Sequence, residues 1–295
     1  MKILKETEIK AAEEILRNGG IVAFPTETVY GLGALATNSL AAAKIFKAKG
    51  RPVDNPLIVH IANEKQLREV VKELPLDAIR LKEAFWPGPF TMILPKTDKI
   101  PKETSAGLST IGVRMPNCRI ALNLIEKVGP IAAPSANISG KPSPTSASHV
   151  IDDLENKIDA IIEGPNSFVG IESTVYDVYE RMILRKGSIT REAIENIIGP
   201  IKDTPGQEIL VPKSPGQKYK HYSPNAKLTI IKGLKTPSSE PNTVSNVIEV
   251  NAKNLFEILR ELDKFGIEHA YIKYPEDEAV LDRVLKASNY NILEV

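Results

Sequence analysis

Short apolar runs of strand length alternate with longer stretches of helical spacing along nearly all 295 residues, and few architectures accept such a chain. Strand-like runs lie at 21–24, 57–61, 90–94, 111–115, 131–133, 160–163 and 182–185. Helical spacing marks 8–17, 39–47, 120–128, 147–156 and 191–198, and a further helix opens at Asn63 with Leu67, Val70, Val71 and Leu74 on its buried face. In the helix over 39–47, Leu40, Ala43 and either Ile45 or Phe46 are expected to face inward. This order implies an α/β or α+β layer architecture with parallel and antiparallel strands mixed.

The alternation stops between 203 and 224, where Pro205, Pro212, Pro215 and Pro224 interrupt a stretch rich in Lys, Gly and Ser. Such a stretch reads as an extended linker. Beyond it, strands at 227–231, 247–250, 270–274 and 292–295 and helices at 254–264 and 278–287 make a second, smaller α/β unit, with a surface loop over 233–246. The expected division is a first domain over 1–202, a linker over 203–226 and a second domain over 227–295.

Composition excludes several classes. The 38 Lys and Arg against 37 Asp and Glu leave a net charge of +1, which rules out a globally basic nucleic-acid coat or an acidic tail protein. The N-terminus has no apolar core of a leader peptide, and no apolar run approaches the roughly 20 residues that span a bilayer. A soluble cytoplasmic protein is expected. With one cysteine, Cys118, and 4 histidines, neither an internal disulfide nor a zinc spacing is available.

Single motifs say little about chemistry. Gly31-x-Gly33-x-x-Ala36, with Asp54 downstream, has the form of a dinucleotide fingerprint, but the next helix starts only at Asn38-Ser39 and Pro25 interrupts the preceding strand. Glycines that serve packing explain it better. No Walker loop or nucleophile elbow occurs, and Cys118 has no base beside it. The pairs Glu13-Glu14 and Asp152-Asp153 read as solvated helix faces, and His149 and His269 as structural or surface residues.

Non-helical segments, by contrast, carry clusters of hydroxyl, amide and cationic groups: Pro25-Thr26-Glu27-Thr28, 47–52, Ser109-Thr110, Arg114, Pro134-Ser135-Ala136-Asn137 and Ser173-Thr174. Most follow apolar strand runs, where open α/β sheets place ligands. Turn chemistry explains any one of them, and six together are explained less comfortably that way than as a ligand site. Lys49 and Arg51 share a glycine-containing turn that ends at Pro52, so both cations can face one anion such as a phosphate. Arg114 interrupts an apolar strand and needs a counter-charge or a ligand anion there, while His60 within 57–61 reads by itself as a core histidine.

Taken in order, the segments resemble the threonylcarbamoyl-AMP synthase family, the YrdC-like proteins, in its long two-domain form. The matching residues are 24–32 with Pro25-Thr26-Glu27-Thr28, then Lys49-Gly50-Arg51-Pro52 with 55–60, Trp86-Pro87-Gly88-Pro89, and Gly112-Val113-Arg114-Met115-Pro116. Pro134-Ser135-Ala136-Asn137-Ile138-Ser139-Gly140, Ser173-Thr174-Val175, Ser214-Pro215-Gly216 and His221-Tyr222-Ser223-Pro224 complete the set, which covers about residues 5 to 225. The resemblance implies a twisted, open mixed α/β sheet around a deep positive cavity, a linker across its mouth and a small Rossmann-like second domain.

The activity implied is formation of threonylcarbamoyl-AMP from L-threonine, bicarbonate and ATP, with pyrophosphate released and Mg2+ carried by ATP. A tRNA threonylcarbamoyl transferase complex would then use the product beside the anticodon; a weak contact with tRNA and no membrane association are expected. By the same resemblance Lys49 and Arg51 are catalytic and hold the phosphates, and Asn55, Thr110, Ser135, Asn137, Thr145 and Arg185 surround the nucleotide, with Tyr222 closing over it. Arg114 would take the threonine carboxylate, and Thr28, His60 and Ser173 its amine, hydroxyl or carbamate. No protein metal site is implied.

The chain departs from the family at Lys186, where a proline is usual, and in a shorter stretch after 225. That stretch is expected to act as a scaffold that anchors the linker and to be removable without unfolding the sheet. Lys49 and Arg51 are expected to be exposed to the cavity and replaceable by alanine without loss of fold. The alternative function is a non-catalytic YrdC-like RNA-binding module. Carbamoyl transfer to another substrate ranks last, since the chain lacks cysteines for zinc fingers.

Overall fold

The order of elements shows at once how short strands build one large sheet; the computed structural model describes residues 1–203, 222–233 and 247–294. The first unit runs β1 (Lys2–Leu4), α1 (Ile9–Arg17), β2 (Val22–Phe24), β3 (Gly31–Leu35), α2 (Ser39–Lys49), β4 (Ile58–His60), α3 (Glu64–Val70), α4 (Leu76–Phe85) and β5 (Phe90–Pro95). It continues with α5 (Lys102–Ser105), β6 (Thr110–Arg114), α6 (Arg119–Val128), β7 (Ile131–Ala133), α7 (Ala147–Leu154), β8 (Ala160–Ile162), β9 (Thr174–Asp177), β10 (Met182–Arg185) and α8 (Arg191–Ile198). Ten strands form one sheet in the order β1-β8-β2-β3-β7-β4-β6-β5-β9-β10. Parallel pairs such as β4–β6 and β5–β9 alternate with antiparallel ones such as β3–β7 and β5–β6, as the mixed alternation of the sequence requires.

Strands β1, β3 and β9 and helix α4 are additions to the sequence reading. The glycine-rich stretch from Gly31 is strand β3, paired antiparallel to β2, so the strand-turn-helix of a dinucleotide fold is absent there. A Cβ at Gly33 would stand 2.6 Å from Ile131 Cγ2 and 2.7 Å from Phe24 Cε1, so these glycines do serve close packing.

Helix α2 starts where the Asn38 side chain accepts from the Ala41 amide. Its buried stripe is Ala41, Ala42, Ile45, Phe46 and Lys49, whereas Leu40 is 78% exposed and Ala43 is exposed. The inward face is therefore turned by about one residue from the spacing first read, because the small Ala41-Ala42 pair lies against the core. Lys49 falls on that stripe, four residues after Ile45 and eight after Ala41.

The second unit has β11 (Lys227–Lys232), β12 (Val247–Ile248), α9 (Leu255–Lys264), β13 (His269–Lys273), α10 (Glu278–Ala287) and β14 (Ile292–Glu294). Its strands are all parallel, in the order β12-β13-β11-β14. Most of the expected linker, and 234–246 of the expected loop, lie outside the described residues.

The two units share buried contacts. Val29 and Ile171 of the first belong to the apolar cluster of Leu228, Leu255, Phe256 and Val280 in the second. Asp153 is buried against Arg260 Nη2 at 2.8 Å, which corrects the reading of Asp152-Asp153 as a wholly solvated face. His149 is buried too, its Nε2 standing 3.1 Å from Glu257 of α9.

Candidate functional site

A cleft lies where the ends of α2, β4, β6, β7 and β10 meet, and its empty space, open mouth included, is about 710 Å3. Its first wall is the end of α2. Gly50 adopts φ 61 and lets the Arg51 amide return to the Phe46 carbonyl at 3.0 Å, a Schellman turn that glycine makes without strain. The turn sends the chain back so that Lys49 and Arg51 both line the cleft. Arg51 is braced by the Asn55 and Pro56 carbonyls, at 3.2 Å from Nε and 3.1 Å from Nη2.

Lys49 is only 1% exposed, which corrects the expectation that it stands free in the cavity. Its Nζ donates to the Ser135 carbonyl at 2.6 Å and to the Asn137 carbonyl, and its own carbonyl accepts from the Ser139 amide at 2.9 Å. The lysine thus fastens the loop after β7 to the end of α2. Burial, aided by the Arg51 charge, pushes its ammonium pKa well below the usual lysine value. Within that loop Ser135 Oγ donates to Asn137 Oδ1 at 2.5 Å, and Asn137 Nδ2 donates to the carbonyls of Ile138 and Lys141.

The opposite wall comes from sheet register. His60 in β4 is the direct partner of Arg114 in β6, so their side chains share a face. Arg114 places Nε on the Gly88 carbonyl at 3.1 Å, Nη1 on Thr28 Oγ1 at 2.8 Å and Nη2 2.6 Å from Glu27 Oε1. The last contact is an ion pair without hydrogen-bond alignment, and neither Glu27 oxygen has a hydrogen-bond donor among the described residues. Glu27 is the counter-charge that a strand arginine requires. Burial, with the Arg114 cation beside it, lowers the His60 pKa to about 3, so this imidazole is neutral near pH 7. Its Nδ1 lies 3.1 Å from the Ile58 carbonyl.

A third side is built by the segment before β9 and by β10. Arg185 donates through Nε and Nη2 to the Ser173 carbonyl and Oγ, both at 3.1 Å, and Ser173 Oγ is 2.8 Å from Thr91 Oγ1. Tyr222, at φ 64, closes the cleft from the second unit's side, with its ring stacked on Phe256 at 5.4 Å. The ring is packed in the second unit's core, which anchors this end of the expected linker.

Lys49, Arg51, Ser135, Asn137, Arg185, Tyr222, Thr28, His60, Arg114 and Ser173 therefore line one cleft. Asn55, Thr110 and Thr145 do not. Asn55 braces Arg51, Thr145 packs on His149, and Thr110 begins β6 four residues from Arg114, about 13 Å along the strand. The sequence reading missed Lys141, Ser143 and Glu172, which also line it. Glu172 Oε1 accepts from Ser143 Oγ, and Oε2 lies 3.2 Å from Nε of Arg283, 111 residues on. A lone acid before Ser173-Thr174 carries no signal of such a pairing.

Comparison with known proteins supplies the family. Residues 14–187 match the Sua5, YciO and YrdC family model described as "Telomere recombination", and residues 189–289 match the model described as "Threonylcarbamoyl-AMP synthase, C-terminal domain". The chain belongs to the threonylcarbamoyl-AMP synthase family. A threonylcarbamoyl-AMP synthase of Pyrococcus abyssi is 42% identical, over 99% of this chain and 97% of the relative. That of Bacillus subtilis is 50% identical over 77% of this chain and 68% of its own length. The crystal structure of P. abyssi Sua5 complexed with L-threonine superposes with a TM-score of 0.93 at 41% identity, covering all of both chains. Escherichia coli YciO gives 0.56 at 25% identity over 63% of this chain, in keeping with a sheet shared by the first unit. The second unit thus has a family model of its own, so the stretch after 225 matches the family as well.

No helix among the described residues is long and apolar enough to cross a membrane.

Proposed function

We propose that this chain joins L-threonine, bicarbonate and ATP into threonylcarbamoyl-AMP, with pyrophosphate released, and that a transferase complex passes the threonylcarbamoyl group to the adenosine beside the tRNA anticodon. The observation that carries this reading is the cleft with Lys49 and Arg51 on one wall and the His60–Arg114 pair on the other, in a chain aligned over nearly its whole length with a synthase.

In this reading threonine enters beside Thr28, His60 and Arg114, where Arg114 meets its carboxylate. The neutral amine attacks the carbon of bicarbonate, and water leaves as the carbamate forms. Neutral His60 adds no second cation beside Arg114, so threonine can enter with its amine still protonated and lose that proton before attack. One carbamate oxygen then attacks the α-phosphorus of ATP as pyrophosphate departs. No protein nucleophile takes part; Lys49, Arg51 and Arg185 hold the phosphates in line and balance their charge.

Magnesium enters as part of the nucleotide substrate. Among the described residues no group of three His, Cys, Asp or Glu side chains could hold a metal ion, and the carboxylate of the cleft lining, Glu172, is engaged by Ser143 and Arg283. The RNA-binding alternative has less support, because the relatives that align with most of this chain are named as threonylcarbamoyl-AMP synthases.

Pyrophosphate release by the purified chain, with threonine and bicarbonate omitted in turn from ATP and magnesium, tests the reading. Release that requires both supports it; release indifferent to either contradicts it.

A further inference from the structure

We propose that the second unit completes the nucleotide side of the cleft through Arg283, a positioning residue that neutralises Glu172 so that a triphosphate can bind beside it. This inference rests on the adenylate-forming reading above.

Among the described residues Glu172 is the one carboxylate in the cleft lining, which it shares with Arg185 and Tyr222, both assigned above to the nucleotide. Ser143 donates to its Oε1, and Ser173, next in the chain, holds Arg185. An unbalanced anion there would repel a triphosphate in a site where water screens poorly. The balancing cation comes from α10. Arg283 is 0% exposed; its Nε lies 3.2 Å from Glu172 Oε2, and its Nη1 donates to the carbonyl of Lys186, one residue beyond Arg185. Its guanidinium carbon lies 5.7 Å from the centroid of the Tyr222 ring, which itself lines the cleft. One side chain of the second unit thus touches three pieces of the nucleotide wall.

A docking contact alone is poorly served by a buried arginine, since apolar residues of similar size hold an interface without the desolvation of a charge. The charged groups that act on Glu172 are Arg283 of α10 and Arg185 of β10, with the neutral Tyr222 phenol beside them. Burial pushes the Glu172 pKa up, but the Arg283 and Arg185 cations and the Ser143 hydrogen bond outweigh it and hold the carboxyl below its ordinary value. The acid is thus ionised and neutralised at once.

The test is steady-state kinetics on the full chain and on Glu172→Gln, Arg283→Gln and the double variant, with circular dichroism as the check of fold. Arg283→Gln is expected to raise KM for ATP by about tenfold at about pH 8 and to leave KM for threonine within about twofold. Lowering the pH to about 6 should shrink the ATP defect, because Glu172 without Arg283 takes up a proton more readily. The double variant should return KM for ATP to within about threefold of the parent. A double variant as impaired as Arg283→Gln, or an ATP defect that ignores pH, overturns the proposal. Should Arg283→Gln fail to fold, Glu172→Gln decides: KM for ATP falls if Glu172 opposes phosphate, and a rise or no change overturns it. A parent chain that releases no pyrophosphate would instead sink the adenylate reading.

Discussion

His60 shows how a residue unremarkable in the sequence gains a role from its neighbours. Its strand position was legible, but its pairing with Arg114 depends on register between β4 and β6, 54 residues apart by the partners' numbers. The sign of its pH effect follows from the lowered pKa. Between about pH 6.5 and pH 3 the unfolded chain binds a proton that the folded chain refuses, so stability is full above the unfolded pKa and declines as pH falls through that window. His60→Gln should therefore lose less of its urea midpoint than the parent between about pH 7 and pH 4.5; equal losses would mean that His60 is not the group being titrated. Arg114 was better served by the sequence, because a cation in an apolar strand demands a partner, and Glu27 supplies it at 2.6 Å. Glu172 was invisible, since nothing near it in the chain shows that Arg283 will meet it.

Among the elements, α2 and its turn link the sequence to the chemistry most directly. The helical phase of Ala41, Ile45 and Lys49 sends the lysine inward, and Gly50 at φ 61 reverses the chain so that Arg51 follows it. Space around Gly50 is open, so Gly50→Ala meets no clash and probes the backbone conformation alone. It is expected to cost about 1 kcal/mol of stability and to lower kcat/KM by shifting Lys49 and Arg51 against each other. Thermal melts and kinetics check this, and an unchanged kcat/KM would show that the turn need not be exact. Long periodic helices such as α6 were legible at nearly their true bounds. Strand β3 was not, because its two glycines remove the side chains that signal a strand, and β1 has only three residues.

At the scale of the whole molecule, the proline-rich break revealed two units but not their dependence on each other. Val29 and Ile171 complete the second unit's apolar cluster, Arg260 and Arg283 reach back to Asp153 and Glu172, and Tyr222 stacks on Phe256. All these contacts join residues far apart in the chain, where no local pattern forms. A chain ending at 225 should keep the secondary structure of the large sheet but melt roughly 5 °C lower and lose turnover, since Tyr222 loses its support and Val29 and Ile171 their cover. Full turnover by that truncation would reduce the second unit to a passive scaffold.

In the proposed function one cleft unites threonine, bicarbonate and ATP. Incubating the chain with ATP, magnesium, threonine and carbon-labelled bicarbonate, and analysing the nucleotides by mass spectrometry, tests it most directly. The expected product is an adenylate that carries both the labelled carbon and the threonine residue and is absent with Arg51→Ala. An adenylate without the label, or equal yield from Arg51→Ala, would contradict it.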